Sequence, residues 1–226
     1  MPARSDSCHP DQVTTKYALL VRGGWEGHDP VATTDRYAKF LSGESFDVST
    51  SDSLDAYLGD LSGVDLIVQC WTMGQITREQ LDGLRSAVAA GTGFAGWHGG
   101  IVDSFRDQPE YHLLTGGQFI HHHKEFVRYP VEVVAEHPIV AGLGTFEVHS
   151  EQYYVHADPG NEVLATTAFL PDPDRPEIGT PTMPVTWVRQ HGAGRVFVTT
   201  IGHRMADLEL PAVDEMIRRG LRWATR

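Results

Sequence analysis

The stretch that decides the fold is Gly93-Phe94-Ala95-Gly96-Trp97-His98-Gly99-Gly100. Its first part predicts a short buried strand that runs straight into a polar residue and two glycines. Glycines around a polar residue at a strand end are typical of a sharp turn that lifts one side chain out of the sheet, the nucleophile elbow written G-x-S-x-G in hydrolases. Residues 96–100 read G-x-H-x-G instead. Because histidine is a base or a metal ligand far more often than a nucleophile, this elbow predicts a different chemistry.

The segments before the elbow alternate between buried strands and helices with apolar residues at helical spacing. That alternation predicts a parallel sheet with helices on both faces, in which ligands bind beyond the carboxyl ends of the strands. The strands are expected at Tyr17–Val21, Phe46–Thr50, Val64–Cys70 and Phe94–Trp97, and the helices at Asp35–Leu41 (capped by Thr33 or Thr34), Asp52–Leu61 and Gln80–Ala90.

The second half of the chain predicts an antiparallel extension of this sheet. A short helix is expected over Pro109–Leu114, a hairpin turn over Gln190–Gly194 and a closing amphipathic helix over Val213–Ala224. No repeat or linker interrupts the pattern, so residues 16–226 are expected to form one α/β domain after a polar, disordered lead-in over 1–15. The strand-like segments are Val127–Val134, Thr145–Val148, Glu162–Ala168, Val185–Arg189 and Arg195–Ile201.

Composition narrows the classes of partner. A formal net charge of -12 argues against nucleic acid and anionic membrane surfaces, since both require a basic patch. The chain has no apolar run of the roughly 18 residues that a membrane helix needs. Cys8 and Cys70 are not expected to form a disulfide, which favours a reducing cytoplasm. We expect no nucleotide cofactor, and homo-oligomerisation stays open.

Twelve histidines are unusual in a chain of this length and invite a metal or proton-transfer hypothesis. Neutral imidazole with a carboxylate is a common ligand set for divalent transition metals. No pair has the spacing of a helical H-E-x-x-H motif, so a site would have to be assembled from distant loops. Other histidines, such as His137 and His156, are more often capped or solvent-facing. The polar candidates after strand ends or glycine turns are His28, His98, the run His121–His123, Glu151 and His203.

Aromatic residues lie close to the same turns and are candidates for a wall that stacks on sugar rings. The alternative is that they are ordinary core or rim residues. Arg22 is a candidate for orienting an oxygen-rich substrate, or else pairs with a carboxylate. The aromatic candidates are Trp25, Trp71, Trp97, Tyr153 and Tyr154.

With these motifs in hand, the chain resembles the trehalose-utilisation family, the ThuA-like proteins, over about residues 17–222. The resemblance implies a flavodoxin-like fold similar to that of class I glutamine amidotransferases, with His98 at the position of the amidotransferase cysteine, so that thiol-dependent amide hydrolysis is not expected. It rests on the motifs at residues 22–28, 96–99, 116–119 with a following histidine, 137–139, 151–154, 184–188, 194–197 and 202–203.

The resemblance also refines the candidate site. The histidine of the third family motif aligns best with His122, although His123 stands where the family has proline. The family tends to have an acidic pair before the tyrosines, and here Ser150 replaces the first acid and leaves Glu151. We therefore expect His98 and Glu151 to be catalytic. One divalent ion (zinc, manganese, iron or nickel) is expected on His28, His98, His122 and His203.

Family context links these proteins to sugar catabolism beside dehydrogenases that make 3-keto-glycosides. The first hypothesis is therefore an enzyme that cleaves or rearranges an oxidised, trehalose-like glycoside. A C3 ketone acidifies the C2 proton, so a base removes it and a Lewis acid stabilises the enolate before the C1 substituent leaves. The second hypothesis is a non-catalytic carbohydrate- or partner-binding domain. A glycoside hydrolase with two carboxylates is weaker, because Glu151 has no convincing partner.

Overall fold

The computed structural model describes residues 15–226, so nearly all of the lead-in predicted over 1–15 lies outside the described residues. Within the described part, no helix combines the length and apolarity needed to cross a bilayer. The strands are β1 (Lys16–Gly24), β2 (Phe46–Ser51), β3 (Leu66–Thr72), β4 (Gly93–Trp97), β5 (Gly117–His122), β6 (Val127–Val133), β7 (Phe146–Ser150), β8 (Tyr153–Ala157), β9 (Glu162–Ala168), β10 (Thr182–His191) and β11 (Gly194–Thr199).

Nine of these strands form one sheet in the order β2-β1-β3-β4-β11-β10-β9-β6-β7. The first five strands in that order run parallel to one another. The last four, β10, β9, β6 and β7, each run antiparallel to the strand before them in the sheet. The predicted α/β fold, a flavodoxin-like sheet with an antiparallel extension, is therefore confirmed. The helices are α1 (Pro30–Gly43), α2 (Arg78–Ala89), α3 (Gly99–Val102), α4 (Pro109–Thr115), α5 (Met205–Leu208) and α6 (Pro211–Ala224).

Two apolar layers hold helices against the two faces of the sheet. One layer packs α1 and α6 against the strands, and the other packs α2, α3 and α4. In α6 the spacing of Val213, Ile217 and Leu221 puts these fully buried side chains on one stripe. β3 is buried along nearly its whole length, as expected for a parallel strand covered on both faces.

A separate two-stranded antiparallel sheet of β5 and β8 was not predicted. The reason is a register shift between Phe119 and His121, which interrupts the alternation of apolar and polar residues in β5. This small sheet carries the histidine run opposite Tyr153 and Tyr154, so it brings two of the sequence motifs together.

Helix boundaries in the first half differ from the prediction. α1 begins at Pro30 after Asp29, and the Thr33 and Thr34 hydroxyls donate back to the carbonyls of Asp29 and Pro30 instead of capping the helix. Proline at a first helical position is favoured because its missing N–H needs no partner there. The helix predicted over 52–61 is only a short 3-10 turn, Leu54–Leu58.

The close packing of α3 on β3 gives a stability prediction. A Cβ on Gly100 would lie 2.8 Å from the Cα and 2.9 Å from the Sγ of Cys70, so Gly100→Ala forces the helix off the strand. We expect a loss of about 1–3 kcal/mol in the free energy of unfolding, measured in urea. Gly63→Ala is the control, because nothing lies within 4 Å of a Cβ there. Equal stability of the two variants would contradict the packing argument.

Candidate histidine–carboxylate site

The elbow predicted at residues 96–100 is present. His98 follows β4 directly and has φ 50° and ψ -144°, a conformation that residues with side chains rarely adopt. Its backbone N–H donates to the carbonyl of Thr199 at 2.7 Å, which ties the turn to the end of β11. The side chain is therefore lifted from the carboxyl edge of the sheet, although it is only 1% exposed.

Contacts on both nitrogens orient the His98 ring. Nδ1 lies 2.8 Å from the carbonyl oxygen of Thr200, and because a carbonyl only accepts, Nδ1 carries a proton. Nε2 faces Oε2 of Glu151 at 3.1 Å. The ring also stacks on Tyr153, with centroids 4.1 Å apart and planes at 28°. In the neutral ring, Nε2 is consequently the atom that offers a lone pair.

His28 enters the site from the loop after β1. Its Nδ1 lies 2.7 Å from the hydroxyl of Thr72 at the end of β3, which fixes the ring. The ring fits only because Gly99 has no side chain: a Cβ there would lie 2.8 Å from Nδ1 of His28. Burial above all, and then the neighbouring His98 and His203, lower the pKa of His28 from 6.5 to about 3. At neutral pH this imidazole is uncharged and able to act as a ligand.

Glu151 and His203 complete the arrangement. Oε2 of Glu151 lies 3.2 Å from Nδ1 of His203, but this buried nitrogen forms no hydrogen bond with any of the described residues. Burial alone would raise the pKa of Glu151, but the contacts with His203 and His98 outweigh it and hold the pKa well below its usual range. The carboxylate is ionised.

The four side chains converge on one point. His28, His98, Glu151 and His203 each offer one nitrogen or carboxylate oxygen, and these atoms all lie within 4.8 Å of one another. Three imidazole nitrogens and one carboxylate oxygen are donors that zinc and related divalent ions accept. The unpartnered Nδ1 of His203 fits such an ion. The lone pair of His98 Nε2 also fits such an ion. It points at the carboxylate of Glu151, and two acceptors that face each other need a cation or a proton beside them.

The histidine run divides between two faces of the small sheet. His122 donates from Nδ1 to the His123 carbonyl at 2.5 Å, and its Nε2 lies 3.7 Å from Oε1 of Glu151. It therefore lies beside the four converging residues but outside the set, contrary to its expected place among the ligands. His121 and His123 turn instead towards Asp172, with nitrogen–oxygen distances of 2.7 and 3.7 Å.

Only some of the predicted wall borders the group. Trp25 is 46% exposed and meets the His28 ring edge-on at 4.7 Å. Tyr153 covers His98, as described above.

The other predicted substrate-binding residues have different neighbours. Trp97 is 1% exposed and packs against Tyr37, so it is a core residue. Trp71 is half-buried on the strand that carries Thr72. Tyr154 faces Phe169, and Arg22 pairs with Asp35 and Asp52.

Sequence reasoning missed the residues that orient the ligands. The Thr72 hydroxyl fixes the His28 ring, and the Thr200 carbonyl fixes the His98 ring. The only indication of these roles in the sequence is that both residues lie at strand ends. Surface clefts of about 820 Å³ between α1 and α6 and about 600 Å³ beside Pro138 are lined by other residues. The site is recognised by its converging donors.

Fold and site together define an α/β protein of the flavodoxin-like kind whose elbow presents histidine to a buried histidine–carboxylate group. The model of the trehalose-utilisation family, ThuA, matches residues 17–224, and the chain belongs to that family.

Solved structures agree with the fold. A ThuA-like protein from Parabacteroides merdae has a TM-score of 0.75 at 18% identity, with 93% of this chain and 90% of that chain covered. One from Bacteroides uniformis has a TM-score of 0.76 at 18% identity, covering 97% and 94%. The β-galactosidase from Bacillus circulans sp. alkalophilus matches at TM-score 0.58 and 15% identity, covering 93% of this chain but 30% of that chain. Among curated proteins, no sequence match was found.

The depressed pKa of His28 predicts how stability depends on pH. Between pH 6.5, the ordinary value, and about 3, the unfolded chain binds a proton that the folded protein does not. Stability contributed by neutral His28 is therefore present above the ordinary pKa and lost as pH falls, with a slope of up to about 1.4 kcal/mol per pH unit. His28→Gln should flatten the slope in urea unfolding of chelator-treated protein. The exposed His156→Gln is the control, and an unchanged slope for His28→Gln would contradict the assignment.

Proposed function

We propose that the protein is a sugar-catabolic enzyme that acts on a glycoside, with a 3-keto-glycoside of the oxidised trehalose type as its substrate class. The observation that carries the proposal is the convergence of His28, His98, Glu151 and His203 within 4.8 Å at the carboxyl edge of the sheet. Membership of the trehalose-utilisation family supports a role in sugar metabolism. A small carbohydrate is accordingly the expected ligand.

In this proposal, the same four residues hold one divalent metal ion. The donor set is one that zinc, manganese, iron and nickel accept. When bound, such an ion supplies a Lewis acid that stabilises negative charge on a substrate oxygen. The buried Tyr153 and the orienting contacts to Thr72 and Thr200 hold the ligands in place before substrate arrives.

The chain also has groups for binding the sugar and moving its proton. The exposed ring of Trp25 provides an apolar face beside His28, suited to a sugar ring. His122 is about one-third exposed, and with Nδ1 bound to a carbonyl its Nε2 is free to accept a proton. In elimination, His122 would take the proton from C2, and a C1–C2 double bond would form as the C1–oxygen bond breaks. The protonated His122 would then return that proton to the leaving oxygen, which departs as an alcohol.

Glutamine amidotransferase chemistry has no thiol to use at this elbow. Cys70, the one cysteine within residues 15–226, is 1% exposed, and burial raises the pKa of its thiol to about 12. A thiol held in that protonated form is a poor nucleophile. The chemistry is therefore assigned to imidazole and carboxylate groups.

Elemental analysis tests the metal. Tag-free protein purified without chelator should contain about one equivalent of a divalent transition metal. His98→Ala should lose it, because both the ligand and its contact with Glu151 disappear. His156→Ala, which removes an exposed histidine of β8, should keep it. Equal metal content in wild type and His98→Ala would count against the proposed ligands.

Turnover of keto-glycosides tests the reaction. Glu151→Gln should lower the rate by about 10²–10⁴-fold while the protein stays folded, and chelator should lower the wild-type rate similarly. Glu147→Gln is the matched control, since Glu147 lies on β7 but is exposed and pairs with Arg128. Product formation is followed by chromatography and folding by circular dichroism. Sugar binding in calorimetry without product would instead favour a non-catalytic carbohydrate-binding domain.

A further inference from the structure

A buried carboxylate outside the histidine group connects the two segments that supply Glu151 and His203. Asp207 lies in α5 and is only 2% exposed. The hydroxyl of Ser150 donates to its Oδ2 at 2.5 Å. Because Ser150 directly precedes Glu151, this bond fixes the backbone from which the Glu151 side chain projects.

The same carboxylate holds the segment that follows His203. The backbone N–H of Arg204 donates to Oδ2 of Asp207 at 3.3 Å, and Nε of Arg204 donates to Oδ1 at 3.4 Å. Nη2 of Arg204 also donates to the carbonyl of His149 at 3.0 Å, so the arginine reaches back to β7. Its guanidinium lies 4.3 Å from the ring of Phe126.

Phe126 connects this network to the site, because its ring meets the His203 ring edge-on at 5.2 Å. Oε2 of Glu151 must reach Nε2 of His98 and Nδ1 of His203 together, at 3.1 and 3.2 Å. These residues come from three different segments, so their spacing depends on how β7 is held against the loop after β11.

We propose that Asp207 is the positioning residue that fixes Glu151 against His203 by joining Ser150 to Arg204. The inference rests on the proposed function in so far as these residues hold a metal. Partners that orient metal ligands typically change affinity by about 10–100-fold when they are removed. A role confined to the start of α5 would need only the bond from the Arg204 N–H, whereas the bond from Ser150 and the Arg204–His149 contact extend to β7.

Cobalt titration of the metal-free full chain is the first test. Asp207→Asn should weaken Co²⁺ binding by about 10–100-fold and change the d–d absorption spectrum of the bound ion, because Glu151 and His203 no longer meet at the same spacing. Asp214→Asn is the control, since Asp214 is a paired carboxylate of α6 with partners Arg36 and Arg218. Unchanged affinity and spectrum for Asp207→Asn would overturn the inference.

A second variant keeps the test decisive if Asp207→Asn fails to fold. Ser150 and Asp207 are both buried and in contact, so the exchange S150D/D207S retains the same groups on opposite elements. It should bind Co²⁺ at least about tenfold more tightly than D207S alone. Equal affinity of the two would overturn the inference.

The outcome also separates this inference from the proposed function. If wild-type protein binds neither Co²⁺ nor Zn²⁺, the metal proposal fails. NMR resonances of the histidine rings in the metal-free protein then test the role of Asp207. The His203 ring signals should move in S150D/D207S relative to D207S, while those of the distant His191 stay in place. No movement at His203 would overturn the positioning role.

Discussion

The hydrogen bond from His98 Nδ1 to the Thr200 carbonyl is the contact on which the rest of the site depends. It decides which nitrogen of the elbow histidine carries a proton and therefore which one faces Glu151. Together with the hydrogen bond from the His98 backbone N–H to the Thr199 carbonyl, it joins two neighbouring parallel strands at their carboxyl ends. A side chain fixed in this way presents a lone pair in a set direction, as second contacts do for metal-binding histidines.

Burial then leaves the negative charge of the group poorly compensated. Neutral imidazoles are favoured when water is excluded, and the low pKa of His28 shows that cause directly. Glu151 stays ionised in the same surroundings, which leaves a negative charge in a poorly solvated place. Such a charge is costly unless a cation accompanies it. The divalent ion of the proposed function would offset this charge.

The sequence was sufficient for the fold class and the parallel part of the main sheet, because strand-like runs and helical spacing are local signals and the elbow at residues 96–100 places one side chain. It was sufficient for His28, His98, Glu151 and His203 as candidates, since each follows a strand or a glycine turn. It was not sufficient for the members of the histidine run, because a register shift in β5 decides which face each occupies. Nor could spacing reveal Asp207, whose partner Ser150 is 57 residues away.

The same fold supports different chemistry because the elbow fixes a position and not a reaction. A nucleophile at this turn needs one activated atom free to attack a substrate. His98 has neither nitrogen free in that sense, since Nδ1 donates to a carbonyl and Nε2 faces a carboxylate. Under the proposed function, His98 instead helps to bind a cation. Imidazole at the elbow then replaces covalent catalysis with electrostatic and acid–base chemistry, while the sheet beneath it stays the same.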